Sequence, residues 1–290
     1  MKKLTIGTSE YNAVKTEILN NFRVQPTEQF NPEKEVRGRI NYLKDFIRNT
    51  GLKGFVLGIS GGVDSSTVGR MCQLACEELR SEGVEAKFYA MRLPAGVQFD
   101  EADAQEAMKF INADVSMTVN IGEASNTIHN AFIVEQTRID GKAGTPQSLD
   151  YHKGNVKARM RMIAQYEVAG YYKLAVTSSD QNTEAIFSFF TKFGDGAADL
   201  IVNRGLNKRQ VRLMSKYLGA PERLWNKPPT ADLEELNPGK LDDDGFGVPY
   251  DLVDDFTEGK DIPPNFEQII VQTFDNTRHK REAIPEYHPE

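Results

Sequence analysis

The densest chemistry in the chain is the run Ser60-Gly61-Gly62-Val63-Asp64-Ser65-Ser66. Two adjacent glycines have no Cβ, so the backbone can turn sharply there and bring its N–H groups against an anion. The serine hydroxyls add donors. A helix beginning near Ser65 would point its free N–H groups and positive dipole end at the same place, which makes phosphate the natural ligand. Asp64 is the exception, because a carboxylate beside a polyphosphate repels it unless a divalent cation bridges the two, so this residue implies Mg²⁺. The plainer alternative is a tight turn with Ser65 or Ser66 capping the helix. It accounts for neither the acid nor the cluster of hydroxyls. The spacing also departs from the Walker loop, which needs Lys before its Ser/Thr, and from G-x-G-x-x-G.

Such a loop needs a buried strand before it and strand-helix units beside it. Residues 54–59 read as that strand and 65–80 as the helix after the loop. Strands at 86–94, 115–121 and 173–179 alternate with helices at 100–112, 153–169 and 207–218, and a further helix at 32–49 comes first. The expected fold class is α/β, a Rossmann-like parallel sheet with helices on both faces. Val156, Met160, Ile163 and Ala164 give the 153–169 helix an apolar stripe, with Lys157, Arg159 and Arg161 on its other side. Residues 228–247, rich in Pro, Asp and Gly, read as a long mobile loop, and two short helices at 250–258 and 264–276 follow. The expected organisation is one domain over 1–290: a helical arm to about 50, an ATP-binding α/β core over about 51–225, then the loop and a helical tail.

Composition excludes several classes. No stretch approaches the roughly 18 apolar residues of a membrane span, and the start lacks a secretory signal, so the expected location is cytoplasmic. The net charge of −7 argues against a nucleic-acid partner. Cys72 and Cys76, four residues apart on one helical face with no second Cys or His pair nearby, read as buried thiols.

The string S-G-G-x-D-S resembles the loop of the ATP pyrophosphatases, the PP-loop superfamily with an adenine nucleotide alpha-hydrolase-like fold, which splits ATP into AMP and pyrophosphate while activating a substrate oxygen. Farther along stand KGNVKARMRMIAQY (153–166), FFTKFGDGAADL (189–200), LNKRQVR (206–212), LGAPERL with KPPTADL (218–233) and HKR (279–281). From about residue 35 onward these segments resemble, in order, the ammonia-dependent NAD synthetases. The resemblance implies deamido-NAD, ATP and ammonia as substrates and Mg²⁺ as cofactor. The deamido-NAD carboxylate would be adenylated, and ammonia would then displace AMP.

The resemblance also implies residue roles. Gly58, Ile59, Ser60, Gly61, Gly62, Val63, Asp64 and Ser65 would bind ATP together with Ser179, Lys208 and Thr230. Asp64 and Glu184 would hold Mg²⁺, and Arg159, Lys192, Asp199, His279 and Lys280 would contact deamido-NAD. Ser179 departs from the Thr common in the family, but a hydroxyl remains. Lys208 would stabilise charge on the phosphates, and Asp195 is a candidate base for ammonium. From the residues alone, Glu184 reads more readily as a surface acid, Arg159 and Lys157 as a solvated helix face, and 279–281 as a solvated basic patch. A glutaminase domain of roughly 250 residues does not fit beside this one, so free ammonia is the expected nitrogen source. The resemblance further implies a homodimer, with the helix around 41–46 at the subunit boundary. Two alternatives remain open here. A PP-loop tRNA-modifying ligase would want a basic surface, and a non-catalytic ATP-binding module would need neither metal acid.

Overall fold

The computed structural model describes residues 3–96, 101–230, 235–236 and 241–288. The elements are α1 (Ser9–Phe22), α2 (Pro32–Thr50), β1 (Gly54–Gly58), α3 (Val63–Ser81), β2 (Lys87–Arg92), α4 (Glu101–Ile111), β3 (Val115–Thr118), α5 (Gly122–Asp140), α6 (Pro146–Tyr172), β4 (Ala175–Ser178), α7 (Asn182–Phe187), β5 (Leu200–Ile201), α8 (Lys208–Tyr217), α9 (Glu222–Trp225), α10 (Asp242–Phe246), α11 (Tyr250–Thr257) and α12 (Pro264–Asn276). A 3-10 turn, Arg278–Lys280, follows α12. Local signals set many of these limits. Asn31 caps α2 by accepting from the Lys34 N–H, Pro32 opens the helix, and Gly51 closes it in the left-handed region at φ 70°.

The five strands form a parallel sheet in the order β3-β2-β1-β4-β5. Successive β1 side chains point to opposite faces, and each face has its own core. Phe55 and Leu57 join Leu43, Val68, Met71, Phe88 and Met214 beneath α2, α3 and α8, while Val56 joins Met91, Ala169 and Val176 beneath α6. Helices therefore cover both faces, as the residue pattern required. The strand order reverses direction between β1 and β4, so a crevice opens beyond their carboxyl ends. A third cluster, Tyr11, Ile18, Ile186, Phe187, Phe256, Ile270 and Phe274, ties α1 to α7, α11 and α12 away from the sheet.

Four differences from the sequence reading have physical causes. Helices α1, α5 and α9 and strand β5 were not expected, and α6 begins at Pro146, behind a Thr145 cap, instead of near 153. The α6 stripe holds in part: Met160 and Ala164 pack on the sheet core and Arg159 is exposed, but Ile163 is 49% exposed and Lys157 is buried along with Gly154, Ala158 and Gln165. This helix covers both the apolar sheet core and the polar crevice, so its inward face is mixed. The segment 228–247 contains order: Thr230 bridges to Leu241, and α10 follows. The rest of that loop, 231–234 and 237–240, lies outside the described residues, as does Asp100 at the start of the expected 100–112 helix. Cys72 and Cys76 are free and fully buried, as expected.

Candidate active site

The loop after β1 is held open by its neighbours. Gln165 on α6 accepts the Gly58 N–H at 2.7 Å, and the buried Arg92 on β2 donates to the Ile59 carbonyl at 2.8 Å. Gly61 adopts φ +88°, and a Cβ there would stand 2.8 Å from the Ala104 backbone nitrogen of α4, so only glycine fits. The N-cap of α3 is Gly62, with no side-chain cap hydrogen bond. Neither Ser65 nor Ser66 is a cap. Ser66 donates back to the Gly62 carbonyl at 2.7 Å, while Ser65 Oγ lies 3.1 Å from Ser60 Oγ. The first-turn N–H groups of α3 thus lack a side-chain acceptor at the crevice, which is the arrangement that receives an anion.

The loop lines one wall of a cavity of about 670 Å³. Gly58, Ile59, Ser60, Gly62, Val63, Asp64, Ser65, Ser179, Glu184, Asp195, Lys208, Thr230 and Lys280 all reach it. The turn after β4 brings Ser179, α7 brings Glu184 at the third position of a capping box with Gln181, and α8 brings Lys208 directly after its Asn207 cap. Lys208 Nζ lies 2.5 Å from Asp64 Oδ2 and 3.9 Å from Glu184 Oε1. Burial pushes the Lys208 pKa down, but attraction to Asp64 and Glu184 outweighs it, and the pKa is raised. Lys208 is therefore a buried cation.

The acids around it outnumber it. Burial first, then repulsion from Asp64, raises the Glu184 pKa well above the ordinary carboxyl value despite the pull of Lys208. Burial and the nearby Asp195 push Asp180 up to about 7, and burial pushes Asp242 up to about 6. The buried Asp64 Oδ1 has no hydrogen-bond partner among the described residues. An orphaned carboxylate oxygen beside a carboxyl driven toward protonation is relieved by a divalent cation, so Asp64 and Glu184 fit Mg²⁺. No group of three or more Asp, Glu, His or Cys suited to a metal occurs among the described residues. Phosphate oxygens and water would complete the coordination.

Of the five residues expected to contact deamido-NAD, only Lys280 lines the cavity. Arg159 donates to the Lys192 carbonyl at 3.3 Å and Lys192 Nζ to the His279 carbonyl at 2.5 Å, so these three form a connected group. Asp199 accepts the Val176 N–H at 2.7 Å, apart from that group. Lys280 reaches inward and donates to the carbonyls of Ser188, at 2.6 Å, and Phe190. Asp195 accepts the Thr191 N–H at 2.8 Å. Water reaches Asp195 through the cavity, yet enclosure by protein raises its pKa against the pull of that N–H. Sequence reasoning missed Asp180, Asp242 and Gln165. The place of Asp180, beside Ser179 at the end of a central strand, could have found it. Asp242 sits in an acidic run that resembles solvated loop.

The sequence pattern of the NAD synthase family matches residues 35–284. The chain belongs to this family. Among its relatives, the NH(3)-dependent NAD(+) synthetase of Burkholderia lata is 48% identical over 257 residues, 89% of each chain. The protein of the same name from Streptomyces coelicolor is 49% identical over 269 residues, 93% of this chain and 95% of that one. In three dimensions the chain is similar to the NAD+ synthetase of Burkholderia pseudomallei, with TM-score 0.78 and 42% identity over 96% of this chain and 99% of that one. It is also similar to NMN synthetase from Francisella tularensis, with TM-score 0.74 and 30% identity over 89% of this chain and 99% of that one. The NAD synthase family match holds every cavity residue named above. Helix α1 precedes it and packs on α7 and α12.

Proposed function

We propose that this NAD synthase family member is a carbon–nitrogen ligase, which uses ATP and ammonia to amidate deamido-NAD, the last step of NAD synthesis. The observation that carries this reading is the uncapped N-terminus of α3, with Asp64 in its first turn, facing Lys208 and Glu184 across one cavity. A carboxylate oxygen is a poor leaving group, so the acid must first be activated. The deamido-NAD carboxylate attacks the α-phosphorus of ATP, and the bond to the bridging oxygen breaks with its electron pair on pyrophosphate. Ser60, Ser65 and the first-turn N–H groups of α3 bind the departing phosphates, and Lys208 stabilises their growing charge. Ser179 and Thr230 hold the rest of ATP. Mg²⁺, held by Asp64 and Glu184, would neutralise pyrophosphate charge.

Ammonia then attacks the carbonyl carbon, and AMP leaves as the amide forms. Asp195, which lines the cavity, takes the proton that ammonium must lose. Arg159, Lys192, Asp199, His279 and Lys280 hold deamido-NAD. The protein acts as a homodimer. In the 41–46 segment of α2, Leu43 and Lys44 are buried, while Asn41, Tyr42 and Asp45 are exposed and face outward for a subunit boundary. Ile128 and Phe132, one turn apart on α5, are 56% and 52% exposed, and we extend the boundary to them.

The test is direct. Purified protein with Mg²⁺, ATP, ammonium and deamido-NAD is expected to yield NAD, AMP and pyrophosphate in equal amounts. Absence of NAD rejects the reading, and pyrophosphate release without deamido-NAD would leave only an ATP hydrolase.

A further inference from the structure

Lys208 carries a buried charge at the first position of α8, and the residues that fix it come from a helix outside the cavity lining. Tyr250, Asp254 and Glu258 recur every four residues along α11 and its cap, so they share one face. All three are at least nine-tenths buried. The Tyr250 ring lies 5.0 Å from Lys208 Nζ, and its hydroxyl donates to Asp242 Oδ2 at 3.4 Å. Asp254 accepts the Lys208 N–H at 3.1 Å on one oxygen and the Arg209 N–H at 2.9 Å on the other. Glu258 accepts from the Asn207 side-chain amide at 3.2 Å, and from the Thr27 hydroxyl at 2.5 Å.

We infer that Tyr250, Asp254 and Glu258 are positioning residues that set Lys208 for phosphate binding. The first N–H groups of a helix have no partner within it. Asp254 satisfies two of them and Asn207 a third, at Gln210. The start of α8 is thereby fixed against α11, and only the Lys208 side chain projects into the cavity. A lysine stem has four rotatable bonds, so a fixed backbone alone does not place its ammonium. The Tyr250 ring supplies the remaining constraint by attracting the cation on its face. This matters most when a metal draws on Asp64, which is otherwise the nearest charge to Lys208. The ring and the anchored backbone then keep the ammonium beside the phosphates.

This inference rests on the proposed role of Lys208, and a double-mutant cycle separates the two. Asp254→Asn keeps the side-chain shape but turns an N–H donor toward one of the backbone donors. It is expected to lower kcat about ten-fold or more with little change in the KM for ammonium, and to slow single-turnover pyrophosphate release by the same factor. In a Lys208→Met background, already slow, Asp254→Asn should cost almost nothing further. An equal loss in both backgrounds makes Asp254 merely structural and overturns the inference. So does normal kcat in Asp254→Asn. Normal rates in Lys208→Met itself would remove the parent role of Lys208 and this inference with it. Should Asp254→Asn fail to fold, Tyr250 carries the same cycle. Tyr250→Phe keeps the ring and should lose less activity than Tyr250→Leu, and equal losses would again overturn the inference.

Discussion

Asp64 and Lys208 show how a single contact serves two purposes. In the free protein their 2.5 Å ion pair keeps a buried lysine charged. In the working site the two are proposed to part in their duties, the acid to a metal and the lysine to phosphate. Asp64→Asn preserves size and removes the metal-binding charge, so turnover is expected to fall by roughly 100-fold or more while circular dichroism still reports a folded protein, at a lower melting temperature because Lys208 loses its nearest counter-charge. Near-normal turnover would take Asp64 out of the metal site. Asp64 was legible in the sequence because a carboxylate inside a phosphate loop repels the ligand unless a cation joins them. Glu184 was not, because its α7 setting reads as any surface acid until the fold turns it toward Lys208. Asp242 was hidden further, since only the burial of α10 against Tyr250 distinguishes it from solvated loop.

At the level of elements, the strand before the loop and the helix after it were readable from periodicity and from the glycines between them. What periodicity did not show is how closely α4 approaches the loop. Gly61 combines φ +88° with a 2.8 Å clearance to the Ala104 nitrogen for any added Cβ. Gly61→Ala is therefore expected to destabilise the protein by about 1–3 kcal/mol and to raise the KM for ATP, as urea unfolding and initial rates would show. Unchanged stability would mean that α4 yields easily. Helix α6 carries the opposite lesson. Its apolar residues suggested which face is buried, yet Lys157 and Gln165 are buried too, Lys157 in an ion pair with Glu235 at 2.9 Å and Gln165 at the cavity wall, where it accepts the Gly58 N–H. Burial against polar groups leaves no signature in hydrophobic periodicity. Helix α1 was unreadable for a different reason, as its partners lie at the far end of the chain, where Tyr11 bonds to Glu267.

For the molecule as a whole, crowded acids dominate the balance of stability with pH. Unfolded carboxyls titrate near 4, whereas Asp242 sits at about 6 and Asp180 at about 7 in the folded protein, raised by burial. Raised values mean that the folded state holds protons more tightly, so this contribution is complete below about 4 and is lost as pH rises through 6 to 7. The ligand-free protein should melt higher at about pH 5.5 than at about pH 8. Mg²⁺ with ATP should narrow that gap by partnering the ionised acids, and a gap that ligands leave untouched would place the effect elsewhere. Assembly is the second property of this scale. Phe132→Glu should convert a dimer to a monomer by sedimentation velocity. A variant that remains dimeric would move the interface off α5.

The burial of Cys72 and Cys76 has a consequence for how the protein meets oxidants. Both thiols are fully enclosed beneath the sheet, and burial raises the pKa of each, so neither offers a reactive thiolate. No cysteine lines the cavity. An hour in dilute peroxide or iodoacetamide should leave the rate of the folded protein unchanged, whereas unfolding in guanidinium should release two alkylatable sulfurs per chain. Labelling of either cysteine in the native state would reveal an opening of α3 that the packed core does not suggest.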